Sequence, residues 1–541
     1  MLCVSLTLRA IPAQRKPFAA VLDDGTSVTA MLCGDEVYHY YQTVDGRLLD
    51  LLDDGTFRVL PSLAADEQFL LRQAASRRAA DDSRRAQRAG ERRNARGHYG
   101  NRRGLVILVD FSDQPFVHST QEIWDMFNKP DYHKDGHLGS VRDYFIDQSY
   151  GKFAIDFDVV GPYTASREWT YYGKNDPGGS DLRPGKLIAE ACLLADADVD
   201  YSRYDWDGDG EVEQIYVIYS GYAESNGAPK AAIWPHEWNL HSNDYGQKLS
   251  LDGVEVDTYA CSSELDGNSG TLLDGIGTAC HEFSHCLGFR DLYDPNGRNY
   301  GLDRWSVMDY GCYNGGKAIP CGFTSYERWQ AGWLEPVELT DPCVVSGMKA
   351  LTAAPEAYVI YNDAHRDEYY LLENRQQQRW DKAGYGHGLL VIHVDYERSA
   401  WNSRLINYYA DHRRLTIIPA DGQYSSQSYL QHKASQSDLA GDPSPGSQHN
   451  TSLTSTSTPA ATLYNPNPYD RLFMDKPLEN ISEQGGTISA NNDNTIGKLK
   501  NTLATQFQVA DVGANVAALE ARGVFTINGS RIEWPAPLAD W

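Results

Sequence analysis

The chain predicts an α/β protein with a mixed sheet, preceded and followed by β-rich sequence, and three observations carry that prediction. Between residues 104 and 335, strand-like and helix-like stretches alternate. Residues 1 to about 70 break into short apolar runs punctuated by Asp23-Asp24-Gly25, Cys33-Gly34-Asp35, Asp45-Gly46 and Asp53-Asp54-Gly55, the punctuation of an antiparallel β unit. Residues 336–490 repeat that grammar, with runs at 358–361, 368–373 and 388–395 set between Gly, Asn and Asp turns.

Within the alternating part each element has its own warrant. Residues 104–111 form a continuous apolar run, as in a strand buried on both faces. Residues 140–148 have helical spacing, and so do 184–194, with Pro184 at the start where a missing N–H is tolerated. Residues 152–159 alternate as a strand, 213–219 form another, and 326–333 read as a short closing helix. The stretch 423–459, rich in Ser, Thr, Gln and Gly, reads as a long loop.

Composition narrows the function classes. A length of 541 residues suggests several folding units, and 41% hydrophobic residues exclude a disordered chain. A formal net charge of −26 argues against a nucleic-acid partner, because a phosphate backbone would be repelled. Nine cysteines, an odd number in so long a chain, are no disulfide framework. No run is long enough for a transmembrane helix, and the apolar opening Met1 to Leu8 is too short, with no basic residue before it, to qualify as a signal peptide.

The divisions expected are an N-terminal pro-region, 1–71; a linker, 72–103; a catalytic unit, 104–335; a β-rich part, 336–490; and a tail, 491–541. The linker carries Arg77-Arg78, Arg84-Arg85, Arg92-Arg93 and Arg102-Arg103 with almost no large apolar residue. That composition suits an exposed junction open to a trypsin-like protease. Within the pro-region, Cys33 and Asp35 are candidates to occupy a catalytic metal's open position, against the alternative of an ordinary turn.

The chemistry concentrates in Cys280-His281-Glu282-Phe283-Ser284-His285-Cys286-Leu287-Gly288-Phe289-Arg290-Asp291. On a helix, His281 and His285 stand one turn apart on one face and can share a Zn²⁺. Ile276, Ala279, Cys280, Phe283 and Leu287 fall in an apolar arc on the other side. Gly288 can end the helix in a left-handed turn and bring round Asp291 as third ligand, with Asp294 the competing donor. Glu282 is the expected general base. Cys280 and Cys286 read as packing residues, and His236, among aromatic neighbours, as a structural histidine. Downstream, Ser306-Val307-Met308-Asp309-Tyr310 has the form SxMxY and resembles the Met-turn of the metzincin metalloproteases. Tyr310 is a candidate for stabilising the reaction's oxyanion or for ligating zinc at rest.

A second metal is suggested by Asp205-Trp206-Asp207-Gly208-Asp209-Gly210-Glu211-Val212-Glu213. It repeats the first half of an EF-hand loop but has Tyr216 where the closing Glu belongs, and a strand follows instead of a helix. Carboxylates so close repel without a cation, so a structural Ca²⁺ is expected. Asp205, Asp207 and Asp209 are its ligands, Glu211 contributes its carbonyl, and Glu213 is a further candidate.

Taken together, HEFSHCLGFRDLYD, SVMDYG, DWDGDGEVEQIYVIYSG, GLVILVDFSDQPF and GSVRDYFIDQSYGK resemble the immune-inhibitor-A-like secreted metalloproteases over roughly residues 104–490. The resemblance implies a metzincin-like catalytic domain and zinc-dependent endopeptidase activity on proteins. It also implies a zymogen, secretion or a cell-surface location, and calcium for stability. It carries over to His281, His285 and Asp291 as ligands, Glu282 as base and Met308 as the turn methionine. The tail's GVFTINGSRI faintly resembles sorting domains. The rival reading is a binding or adhesion protein on a retired scaffold, against which the intact Glu282 counts.

Overall fold

The computed structural model describes residues 9–36, 39–52, 54–60, 99–176, 179–295, 299–340, 342–402, 405–423, 436–492, 526–528 and 531–533. The opening octet, the arginine pairs between 77 and 93, and most of the tail lie outside them. The architecture is mixed α/β, with several sheets and short helices.

The chain enters as a two-residue strand, β1 (Arg9–Ala10), and then builds a five-stranded meander: β2 (Phe18–Val21), β3 (Ser27–Gly34), β4 (His39–Thr43), β5 (Leu48–Leu51) and β6 (Phe57–Val59). The Asp-Gly pairs of the sequence are its turns. Gly25 and Gly46 take φ of +84° and +89°, a backbone region that costs glycine nothing. Ala20, Leu22, Ala30, Leu49 and Phe57 form its small core.

The next strand, β7 (Gly100–Phe111), begins four residues before the apolar run. This corrects the expected linker end at 103. Arg102 and Arg103 are strand residues, Arg103 ion-paired with Asp158 and Arg102 set over the Trp206 ring, so this last arginine pair is not in an open junction. Two helices follow, α1 (Thr120–Asn128) and α2 (Val141–Gln148). Ser119 with Glu122, and Ser140 with Asp143, form reciprocal capping boxes that satisfy the first free amides of each helix. Then come β8 (Phe153–Ala165), α3 (Trp169–Gly173), α4 (Pro184–Ala195), β9 (Ile215–Tyr222), β10 (His236–Asn239), a hairpin of β11 (Leu249–Leu251) with β12 (Val254–Val256), and β13 (Thr258–Leu265).

The central sheet has the order β1-β10-β13-β9-β7-β8. Strands β13, β9, β7 and β8 are parallel, whereas at one edge β10 is antiparallel to β13 and β1 is antiparallel to β10. Strand alternation sorts side chains onto two cores. Val106, Leu108, Tyr216, Ile218 and Phe157 face the side of α1, α2 and the helix described next. Leu105, Ile107, Val109, Ile215 and Val217 face α4. Both faces being covered explains why residues 104–111 read as unbroken apolar sequence.

Helix α5 (Ile276–Cys286) lies on the first face, with Phe283 edge-on to Phe145 of α2 and Phe157 of β8 at centroid distances of 5.1 and 5.5 Å. Helix α6 (Ser325–Gln330) follows, capped by Thr324 and Glu327. The remaining chain forms one sheet of β14 (Val337–Glu338), β16 (Tyr358–Tyr361), β17 (Glu368–Arg375), β18 (Gly388–Asp395) and β19 (Leu415–Ile417). A second comprises β15 (Cys343–Met348), β20 (Leu478–Gln484) and β21 (Thr487–Asn492). In the tail, Thr526–Asn528 (β22) pairs with Arg531–Glu533 (β23).

Candidate metal centre

Helix α5 places His281 and His285 one turn apart, both fully buried, their rings perpendicular with centroids 4.8 Å apart. Each imidazole is fixed from behind. His281 donates its Nδ1–H to the carbonyl of Val307 at 2.8 Å, and His285 donates its own to the carbonyl of Phe289 at 2.9 Å. A carbonyl only accepts, so these bonds select the Nδ1–H tautomer and make each Nε2 the lone-pair donor that a cation could use.

The helix stops where the sequence expects it to. Gly288 adopts φ +92° and its N–H donates to the His285 carbonyl at 2.8 Å. The returning chain is tied down by Leu292 N–H to the Met308 carbonyl at 2.9 Å. Asp291 Oδ1 thereby comes within 3.1 Å of His285 Nε2 and 3.4 Å of His281 Nε2, while the two Nε2 atoms are 3.2 Å apart. Among the described residues these three form one of two donor clusters. The competing Asp294 instead accepts from the Asn299 amide at 2.9 Å and is not in the set, nor are Cys280, Cys286, Cys33 and Asp35.

The spacing tests the donors against a metal. Donor–cation bonds of about 2.05 Å in a tetrahedron put donors about 3.3 Å apart. The three observed separations bracket that figure, and a neutral imidazole pair with a carboxylate is a zinc-type set.

Below the cluster runs the SxMxY turn. Ser306 Oγ donates to Glu327 Oε1 at 2.6 Å and accepts from Met308 N–H at 3.0 Å, so the α6 cap braces the turn whose Val307 carbonyl orients His281. Met308 is fully buried. Tyr310 is buried too, its ring 4.8 Å beneath the Arg15 guanidinium.

Glu282 sits beside the cluster, fully buried. Burial pushes its carboxyl well above the ordinary carboxylate range. The Ile11 amide opposes that rise, and the charges of Asp291, Glu36 and Glu237 add to it. Its Oε2 has no hydrogen-bond partner among the described residues, whereas Oε1 accepts the backbone N–H of Ile11 at 2.8 Å.

That bond reveals what sequence reasoning missed. The N-terminal segment runs past Glu282 as an edge strand, Arg9 opposite Glu237 and Ala10 opposite His236, antiparallel to β10. Trp234 Nε1 donates to the Ile11 carbonyl at 2.8 Å and the Tyr313 hydroxyl to the Pro12 carbonyl at 2.5 Å. Beyond them, Ala13 N–H bonds the Gly34 carbonyl at 2.8 Å and Gln14 N–H the Ser225 carbonyl at 3.2 Å. The group that meets Glu282 is therefore the backbone N–H of Ile11, and neither Cys33 nor Asp35 is in the donor cluster. The uncharged run Ala10-Ile11-Pro12-Ala13 was the available signal. His236 is structural as expected, fully buried and bonded to the Trp234 carbonyl and the Tyr259 hydroxyl at 2.6 and 2.9 Å.

The second cluster is Asp205, Asp207 and Asp209, each offering an oxygen within 4.8 Å of the others. The loop's own amides shape it. Asp205 accepts from Gly208 and Gly210 at 2.7 and 2.9 Å, Asp207 from Asp209 at 3.2 Å, and Asp209 from Glu211 at 2.9 Å. The Glu211 carboxylate is ion-paired with Lys248, and Glu213 accepts the Trp206 amide at 2.6 Å. Burial, with the charges of Asp207 and Asp205, pushes Glu213 up to about 8.

Comparison with known proteins adds the following. Residues 91–335 match the family model described as immune inhibitor A peptidase M6, catalytic domain. The chain is 27% identical over 269 residues to the pre-pro-metalloprotease PrtV of Vibrio cholerae serotype O1, covering 41% of this chain and 29% of that protein. It is 26% identical over 253 residues to immune inhibitor A of Bacillus thuringiensis subsp. alesti, 39% of this chain and 36% of the other. A putative secreted metallopeptidase of Arthroderma benhamiae is 26% identical over 235 residues, with shares of 38% and 32%. The chain thus spans only about a third of the length of these curated relatives.

Proposed function

We propose, from the premise that residues 91–335 form a metallopeptidase domain of the immune inhibitor A family, that this protein is a secreted or surface-exposed zinc endopeptidase. On this reading the catalytic domain is metzincin-like, its N-terminal segment keeps it latent, and a calcium ion stabilises it. The observation that carries the reading is the convergence of His281 Nε2, His285 Nε2 and Asp291 Oδ1 at 3.1–3.4 Å beside a buried carboxylate.

His281, His285 and Asp291 would hold Zn²⁺, and the ion would supply a Lewis acid and bring the pKa of water to about 7. Glu282, its proton affinity raised by burial, takes a proton from the attacking water and returns it to the departing amine. Tyr310 donates a hydrogen bond to the oxyanion as it develops. Met308 floors the centre with apolar surface.

Latency follows from the N-terminal segment. While Ile11 donates to Glu282 and β1 pairs with β10, the cleft is filled and the base is engaged. Cleavage by a trypsin-like protease among the arginine pairs between 77 and 93 frees the segment. The acidic loop would hold Ca²⁺ through Asp205, Asp207 and Asp209. Glu211 would add its carbonyl, and Glu213, raised by burial first and then by the charges of Asp207 and Asp205, is a further donor whose charged form a cation would favour. A relative described as secreted and another as a pre-pro-protease support export.

The test is hydrolysis of casein and a mixed peptide library by the trypsin-treated protein, with and without a zinc chelator, alongside metal content by mass spectrometry. Chelator-sensitive cleavage with one zinc per chain supports the proposal. Zinc binding with no cut product in the library overturns it.

A further inference from the structure

The geometry points to Trp234 and Tyr313 as the positioning residues that grip the backbone of a bound peptide substrate. This rests on the peptidase reading and adds to it how the substrate is held. The side-chain hydrogen bonds of both residues to the N-terminal segment go to main-chain carbonyls: Trp234 Nε1 to Ile11 and Tyr313 Oη to Pro12. Such contacts are blind to side-chain identity. A lock serving one segment gains nothing from that blindness, whereas a cleft meant for many peptides requires it.

The setting agrees. Trp234 and Tyr313 are 1% and 5% exposed, in the same core cluster as Ile11. When the segment leaves, both donors lose the carbonyls they now bond. A peptide carbonyl at each position restores the bond. The segment also lies as an added strand on the β10 edge, the way an extended peptide joins a sheet, with its Ile11 N–H at the proposed base.

The experiment uses the full chain after limited trypsin treatment and a dye-labelled heptapeptide of sequence Arg9 to Arg15, with affinity read by fluorescence anisotropy. A second peptide carries a thioamide, a weaker acceptor, in place of the Pro12 carbonyl. Tyr313→Phe removes one hydroxyl and keeps the ring. The parent is expected to bind the thioamide peptide roughly three- to tenfold more weakly than the normal one, the range of one hydrogen bond. In Tyr313→Phe that ratio collapses to about one. A purely structural Tyr313 would weaken both peptides alike and leave the ratio intact, which overturns the inference. The same cycle with Trp234→Phe and a thioamide at Ile11 gives a second, independent reading. Binding needs no turnover, so loss of the peptidase reading, seen as absent hydrolysis, is distinguishable from loss of this one.

Discussion

Shortening Ile11 to alanine is expected to make the uncut protein leak activity. The side chain is 1% exposed, and the substitution removes three carbons. At about 0.8 kcal/mol for each buried methylene the loss is about 2.4 kcal/mol, within the range seen for large-to-small core changes. The equilibrium between seated and released segment then shifts about fiftyfold toward release. The hydrogen bonds to Glu282, Trp234 and Tyr313 use Ile11 and Pro12 main-chain atoms, so the variant segment still docks, only more weakly. The assay is hydrolysis of an internally quenched peptide by uncut protein, expressed as a fraction of the rate after trypsin treatment. That fraction should rise by one to two orders of magnitude in Ile11→Ala, while the treated forms of variant and parent agree. An uncut variant as silent as the parent, with full activity after treatment, would refute the claim that this segment holds the cleft shut.

Three further outcomes are expected. Glu282→Gln should lower kcat of the trypsin-treated protein by roughly 10²- to 10⁴-fold and leave zinc content, measured by mass spectrometry, unchanged. Chelating Ca²⁺ should lower the thermal midpoint, and excess Ca²⁺ at about a hundred times its Kd should restore about 2.7 kcal/mol, an effect abolished by Asp207→Asn. His236 should make the fold acid-sensitive. Burial holds it at about 4, against 6.5 when exposed, so its contribution is whole above pH 6.5 and is lost as pH falls toward 4. The limit is about 3 kcal/mol, and urea titrations should show this slope in the parent but not in His236→Gln.

What the sequence disclosed and what it concealed divide along chain distance. His281, His285, Gly288 and Asp291 lie within one helix and its exit turn, so the 3.6-residue period and one left-handed glycine suffice to assemble them. The acidic loop is equally local. Strands 358–361 and 388–395 were legible because turn residues bound them. The Ile11–Glu282 bond, by contrast, joins residues 271 apart, and no periodicity encodes such a meeting. Nor does the sequence show that Gly34 presents its carbonyl to Ala13, which is how the meander steadies the segment. The sequence assigns Arg102 and Arg103 to the linker because their neighbours upstream are arginine-rich. Asp158 and Trp206, the partners that make them structural, are 55 and 104 residues away.

The family match ends at 335, yet the apolar core beneath α5 does not. Leu371, Leu390 and Ile392 from the following sheet belong to it, and Asn407 Nδ2 donates to the Leu292 carbonyl at 2.7 Å, one residue past Asp291. Trp305 donates to Asp442 at 2.7 Å, and Arg328 reaches the Leu351 carbonyl at 3.0 Å. A truncation at 335 therefore strips one wall from the hydrophobic interior and the rear support from the ligand loop. Recombinant work on this protein should carry the chain through 492, since a shorter product would expose wet apolar surface and lose its hold on Asp291.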